Sequence, residues 1–144
     1  TVVTIAGMII GIVVFGYLAD KIGRRPSYLI FLFASAIIVW IYFQQSSLSA
    51  LIILGGILGF FVNGMMGGYG ALLAEHYPTE ARSSAENIIF NIGRAVAGFA
   101  PFLIGYISLN HSLSYALSLI SGIYVISALA FIFLIPESKG KELA

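Results

Sequence analysis

The stretch from 48 to 74 reads LSALIILGGILGFFVNGMMGGYGALLA and holds no charged side chain. A helix of roughly 20 apolar residues crosses a hydrocarbon core about 30 Å thick, so this stretch is long enough to span a bilayer. Four further apolar runs flank it, at about 1–19, 28–43, 84–109 and 113–135, of which the second is marginal in length. We therefore predict an all-α membrane protein with five transmembrane helices.

The composition supports this class. Hydrophobic residues make up 60% of the chain and charged residues only 9%, with a mean hydropathy of +1.02, whereas a soluble domain needs a charged exterior. The formal net charge of +1 offers no basic face for nucleic acid. Cysteine is absent, which excludes thiol chemistry.

Positive charges predict the orientation, because Lys and Arg in short loops stay on the cytoplasmic side. Lys21, Arg24 and Arg25 separate the first two runs, Arg82 separates the third and fourth, and two lysines follow the fifth; the other two connections have neither residue type. We expect a multi-pass protein of the cell (plasma) membrane, with the N-terminus of this chain outside and the C-terminus in the cytoplasm. The first run lacks an initiating Met and a charged flank, so we expect the chain to begin within a longer protein.

The connection from 16 to 26 reads GYLADKIGRRP. Gly16 and Gly23 permit close approach and a tight turn, and Asp20 can accept hydrogen bonds or pair with a cation. The spacing G-x-x-x-D-x-x-G-R-R resembles the signature cytoplasmic loop of the major facilitator superfamily of secondary transporters. The alternative is a positively charged turn that happens to carry glycines.

Two further segments resemble the same superfamily. AEHYPTEAR at 74–82 is similar to the loop after its tenth helix, and PESKG at 136–140 is similar to a segment that closes many members, the sugar porters among them. The resemblance implies that residues 1–144 form a partial transporter domain. Its helices would be helices eight to twelve of a twelve-helix fold, with helix seven and the N-terminal half missing.

Such a resemblance implies transport by alternating access, in which two halves rock around a central site. The family's loop acid and arginines take part in contacts between the halves when the cytoplasmic side is closed. If these roles are carried over to this chain, its loop residues would form such a gate. An equally weighted alternative is that the same residues serve only to set the topology and to cap helices. The candidates are Gly16, Asp20, Gly23, Arg24, Arg25, Glu75 and Arg82.

One charge, Arg94, lies inside an apolar run. Ser83-x-x-Glu86 fits a capping box that would start this helix and make Glu86 structural. An unpaired guanidinium facing lipid costs between about 2.5 and 17 kcal/mol, so the helix face that carries it should line the bundle interior or a water-filled cavity. That face consists of Ser84, Asn87, Asn91, Arg94, Gly98, Pro101 and Gly105, at steps of three and four.

We predict an organic-anion site centred on Arg94, whose planar fork suits a carboxylate, with Asn91 and Asn87 as further ligands. The alternative is a structural arginine paired with groups of the absent half. Farther along, Pro101 removes an amide donor between Gly98 and Gly105, which predicts a kink or hinge.

The third run carries a stripe of small residues that predicts close helix packing, and Gly7 and Gly11 repeat this spacing in the first run. Asn63 interrupts the stripe, either as an interhelical hydrogen bond or as a cavity ligand. The stripe is Gly56, Gly59, Asn63, Gly67, Gly70 and Ala74.

The substrate class follows from two comparisons of motif. Sugar porters carry a G-P-x-P-W segment in helix ten where this chain has GGYGA at 67–71, whereas N-x-x-x-N-I-G-R at 87–94 resembles metabolite and aromatic-acid proton symporters. We therefore predict transport of a small organic anion or metabolite, with protons as the implied coupling ion. No carboxylate is expected at mid-depth, so a coupling site would lie elsewhere.

Two alternative functions stay open, and a third, an intramembrane enzyme, is set aside. A sugar porter is the second candidate, and a transporter-like sensor or half-bundle regulator is the third. An intramembrane enzyme needs a nucleophile and base or a metal cluster, and the two histidines, His76 and His111, fall at opposite faces. We expect no enzyme activity, no cofactor and no metal.

Overall fold

The computed structural model describes residues 2–134, with the backbone alone at 74–76. Five helical segments are long and apolar enough to cross a membrane, and the described residues contain no strand. This confirms the predicted all-α class with five spans. In chain order, the first to fifth spans are Val2–Ile22, Arg24–Tyr42, Leu48–Leu73, Thr79–Ser108 and Leu113–Leu134.

The first two spans meet at a single residue. Helix α1 (Val2–Ile22) and helix α2 (Arg24–Tyr42) are separated only by Gly23, whose φ of 109° is a left-handed conformation that favours glycine. The Ser27 hydroxyl donates to the Gly23 carbonyl at 2.7 Å. The predicted bounds of 1–19 and 28–43 leave out the helical residues 20–22 and 24–27 on either side of Gly23. Charged side chains are tolerated in these helix ends, because they can reach outward from them.

The third span is irregular, whereas the sequence predicted one uniform helix over 48–74. It consists of α3 (Leu48–Leu58), a π-helical turn (Gly59–Asn63), a 3₁₀ turn (Gly64–Gly68) and α4 (Tyr69–His76). Glycine is a weak helix former, and the two turns contain four of them. Mid-helix π turns are frequent at functional sites, and this one lies just before the residues that line the cavity described below.

Glycines bring the first and third spans into backbone contact. A methyl group added at Gly7 would overlap the Gly56 carbonyl oxygen, and one at Gly59 would overlap the Thr4 carbonyl oxygen. The predicted close packing is thereby confirmed at these positions. At Gly70 nothing lies within 4 Å of an added methyl, so this member of the stripe is not at a close contact.

An aromatic core joins the first, second, third and fifth spans. Phe15 is fully buried and packs edge-on against Tyr28 and Phe31, with ring centroids 4.7 and 5.0 Å away. Phe131, on α8 (Ser121–Leu134), lies 4.8 Å from Tyr28. The fifth span also contains the short helix α7 (Leu113–Ser118).

The fourth span is peripheral among the described residues. It consists of α5 (Thr79–Gly98) and α6 (Ala100–Ser108), and neither contains a buried residue. Helix α5 packs against α4, and α6 packs against α7. The predicted start near 84 and the capping box at Ser83 and Glu86 are wrong: Pro78 precedes the first turn, and Ser83 lies inside α5. The motif at 136–140 lies outside the described residues.

Candidate transport site

Arg94 lines a cavity of about 320 Å³ between the third and fourth spans, which we call the arginine cavity. Arg94 is 15 residues beyond Thr79 in a span of 30 residues. At 1.5 Å per residue it therefore lies roughly 22 Å along a helix about 45 Å long, close to its middle. The walls are Met66, Tyr69 and Leu73 from the third span and Glu86, Ile89, Phe90, Gly93, Arg94 and Ala97 from the fourth.

The walls of the arginine cavity are mostly apolar and carry few polar groups. The polar side chains among its walls are those of Arg94, Glu86 and Tyr69, and the rest is aliphatic or aromatic. Among the side chains that the structure describes, which leave out Glu75, no acid forms an ion pair with Arg94. The planar guanidinium can bind a carboxylate through two parallel hydrogen bonds.

Asn87 and Asn91 occupy the same helix but do not line the arginine cavity. Each side-chain amide donates back along α5, from Asn87 Nδ2 to the Ser83 carbonyl at 2.9 Å and from Asn91 Nδ2 to the Asn87 carbonyl at 2.8 Å. Asn63 is half-buried at the end of the π turn and is also outside these walls. Ligation by the three asparagines stays a prediction.

The connection between the first two spans forms a compact charged cluster. Arg24 Nη1 lies 3.6 Å from Asp20 Oδ1, and the Asp20 side chain is 76% exposed. Arg25 donates through Nη2 to the Ile132 carbonyl in the last turn of α8, which ties this connection to the fifth span. Gly16 has open space around it, so it makes no close approach, whereas Gly23 provides the turn.

Glu75 and Arg82 belong to the connection between the third and fourth spans. The Glu75 side chain lies outside the described part of the structure, and Arg82 is half-buried in the first turns of α5. Their place in a gate with Asp20 and Arg24 stays a prediction.

The comparisons with known proteins agree with this architecture. The family model described as Major Facilitator Superfamily matches residues 1–144. The chain belongs to the major facilitator superfamily.

Three relatives are similar to this major facilitator chain. A "Putative metabolite transport protein" of Haemophilus influenzae is 54% identical over 143 residues, which is 99% of this chain and 35% of the relative. A "Probable 4-methylmuconolactone transporter" of Cupriavidus pinatubonensis is 32% identical over 140 residues (93% and 32%). A "Cis,cis-muconate transport protein" of Acinetobacter baylyi is 28% identical over 136 residues (94% and 33%). The relatives are transporters rather than enzymes, and the chain spans about a third of their length.

In this major facilitator chain the predicted hinge coincides with a helix break. Helix α5 ends at Gly98, and α6 begins at Ala100 with Pro101 in its first turn. The amide of Phe99 donates to the Val96 carbonyl at 3.1 Å, a tighter pattern than that of an α-helix. Because proline lacks an amide hydrogen, the regular hydrogen bonding cannot continue here. Motion about Gly98, Pro101 and Gly105 stays a prediction.

Sequence reasoning missed two polar groups of the arginine cavity. Tyr69 follows the glycine-rich 3₁₀ turn, and its isolated aromatic ring between two glycines was the available signal. Glu86 was placed near the cytoplasmic surface because the fourth span was started too late. With the helix beginning at Thr79, Glu86 lies roughly 11 Å along the axis from the midpoint of the fourth span.

Proposed function

We propose that this chain is part of a secondary transporter for a small organic anion, with Arg94 as the anchor for a carboxylate. The observation that carries the proposal is a single guanidinium near the middle of a span, facing a cavity with mostly apolar walls. An intramembrane charge in a cavity marks a substrate pathway by default. The muconate and 4-methylmuconolactone named for two relatives are likewise small organic acids or their derivatives.

Alternating access is the proposed mechanism. Because the relatives are about three times as long as this chain, the proposal takes its five spans as helices eight to twelve of a twelve-helix protein. The N-terminal half would supply the opposite wall of the site. The protein would lie in the plasma membrane with the connection that holds Asp20 and Arg24 on the cytoplasmic side, because that connection is rich in Lys and Arg.

Protons are the proposed coupling ion. Glu86 shares the arginine cavity, and it is about 12 Å from Arg94 along the helix axis. A carboxylate inside a membrane span that can change its protonation is the kind of group that proton-driven transporters use. We assign Glu86 this role in place of a coupling site elsewhere in the protein.

The arginine cavity favours an anion over a sugar. A polyol needs many hydrogen-bond partners, whereas this cavity offers the polar groups of only three side chains within the described part of the chain. A non-transporting sensor would bind the same anion without moving it. Uptake measurements therefore decide between a porter and a sensor.

The test is uptake of cis,cis-muconate by cells or proteoliposomes that contain the full-length protein. Arg94→Ala should abolish uptake, and Arg94→Lys should restore only part of it, because a lysine lacks the planar fork. Ile92→Ala is the matched control, since Ile92 lies on the same helix outside the arginine cavity. Membrane insertion of each variant is checked by its yield and elution profile. Uptake that is unchanged in Arg94→Ala would remove Arg94 from the site.

A further inference from the structure

Tyr69 borders two cavities at once. On one side is the arginine cavity, and on the other is a second cavity of about 250 Å³ between the second, third and fifth spans, which we call the tyrosine cavity. Tyr69 is the one described residue that lines both. The tyrosine cavity is lined by Tyr28, Leu32, Met65, Tyr69, Ile120, Ile123, Tyr124, Ser127 and Phe131.

Tyr69 packs against the buried aromatic core. Its ring packs edge-on against Tyr28 at 5.9 Å, and Tyr28 is only 1% exposed. A methyl group added at the preceding Gly68 would overlap the Phe15 ring and come within 2.7 Å of the Tyr28 hydroxyl oxygen. The backbone that carries Tyr69 therefore lies directly against the buried aromatic core. Tyr69 itself is 40% exposed, and its ring stands between the two cavities that it lines.

The two cavities differ in charge. The arginine cavity holds Arg94 and Glu86, whereas the walls of the tyrosine cavity are apolar apart from tyrosine and serine hydroxyls. A molecule that extended from one cavity into the other would thus place its carboxylate at Arg94 and an uncharged, largely apolar body beyond Tyr69. A second charge in the tyrosine cavity would lack a partner of opposite charge and would be costly to bury.

We propose that Tyr69 is a specificity-determining residue that limits the bulk of the carboxylate anchored at Arg94 by closing off the tyrosine cavity. This proposal rests on the proposed function. Removal of the ring joins the two cavities, so the site then accepts a carboxylate with a larger uncharged body. Removal of the ring changes the size of the carboxylate that the site accepts, whereas Arg94 still recognises the carboxylate group.

Two acids that differ only in bulk test this idea. Nicotinate and quinoline-3-carboxylate share a carboxylate and a ring nitrogen in the same relation, and the second carries an additional fused ring. Their Kd values are measured by calorimetry on the purified full-length protein in lipid nanodiscs. Tyr69→Ala should lower the ratio of the quinoline Kd to the nicotinate Kd by roughly tenfold or more, since even one additional carbon in an apolar pocket changes discrimination by about tenfold.

Two further variants separate the partition from a general loss of packing. Tyr69→Phe retains the ring and should keep the ratio near that of the wild type, whatever its effect on either Kd. Ser127→Phe in the Tyr69→Ala protein refills the tyrosine cavity and should return the ratio toward the wild-type value. Because Tyr69→Ala also loses the contact with Tyr28, Tyr69→Leu is measured in parallel and should show the same direction of change.

The outcomes distinguish this inference from the function on which it rests. A ratio within twofold of the wild type in both Tyr69→Ala and Tyr69→Leu, with nicotinate binding still dependent on Arg94, would overturn the partition alone. Nicotinate binding that survives Arg94→Ala unchanged would overturn the arginine site itself. A tenfold fall in the ratio that Ser127→Phe reverses supports the inference.

Discussion

At the scale of single residues, Glu86 shows how one boundary changes the meaning of a side chain. The sequence pattern Ser83-x-x-Glu86 predicted a helix start, and a capping acid is structural. In the structure α5 begins at Thr79, so Glu86 lies about two turns inside the helix and lines the arginine cavity. Arg94 needed no such correction, because a lone charge in an apolar run is conspicuous in any register.

Glu86→Gln tests whether this carboxylate carries the coupled proton. Glutamine has nearly the same shape and cannot ionise, so uptake driven by a pH gradient should fall at least about tenfold, while exchange of internal for external substrate persists. The measurement is cis,cis-muconate accumulation with and without an imposed pH gradient, compared with counterflow. Glu80→Gln is the control, because Glu80 lies in the first turn of the same helix and outside the cavity. Accumulation that still follows the pH gradient in Glu86→Gln would exclude the role.

At the scale of helices, the contact between the first and third spans depends on glycines. Gly7→Ala places a methyl group against the Gly56 carbonyl oxygen, so the two spans must separate. Overpacking of this kind costs about 1–3 kcal/mol. Gly16→Ala, on the same helix with open space around it, should be neutral or slightly stabilising, because alanine is the better helix former. Thermal unfolding in detergent measures both; an equal Tm for the two variants would contradict the packing.

The same helices show what a sequence can predict of this fold. Apolar length located all five spans, and the small-residue spacing predicted the close contacts of Gly7 with Gly56 and of Gly59 with Thr4. Local patterns did not reveal the π and 3₁₀ turns of the third span, because those depend on how Gly64 and Gly68 pack against Gly11 and Phe15. Tyr69, which lines the arginine cavity together with Arg94, was missed for the same reason, because the irregular segment before it sets its position.

At the scale of the whole molecule, the connection that holds Asp20 is the predicted gate of an alternating-access cycle. Asp20 pairs with Arg24 inside its own connection, while Arg25 bonds to the end of the fifth span, so this cluster is tied to the described bundle as one unit. The Asp20 carboxylate is largely exposed and is free on one side to accept donors from an opposing half. Such a contact would stabilise the state in which this side is closed.

Asp20→Asn should therefore slow the cycle more than it weakens binding. The change keeps the shape of the side chain and removes its charge, which lowers the stability of the closed state without touching the arginine cavity. We expect the turnover number for cis,cis-muconate uptake to fall by about tenfold or more and its Kd to change less than about threefold, since a coupling of 1–3 kcal/mol between states corresponds to roughly 5–150-fold. Lys21→Ala, at the adjacent position that the G-x-x-x-D-x-x-G-R-R pattern leaves unspecified, should leave both values near those of the wild type. If turnover is unaltered in Asp20→Asn, the carboxylate acts only in the local pair with Arg24, and closure of the two halves must depend on other contacts.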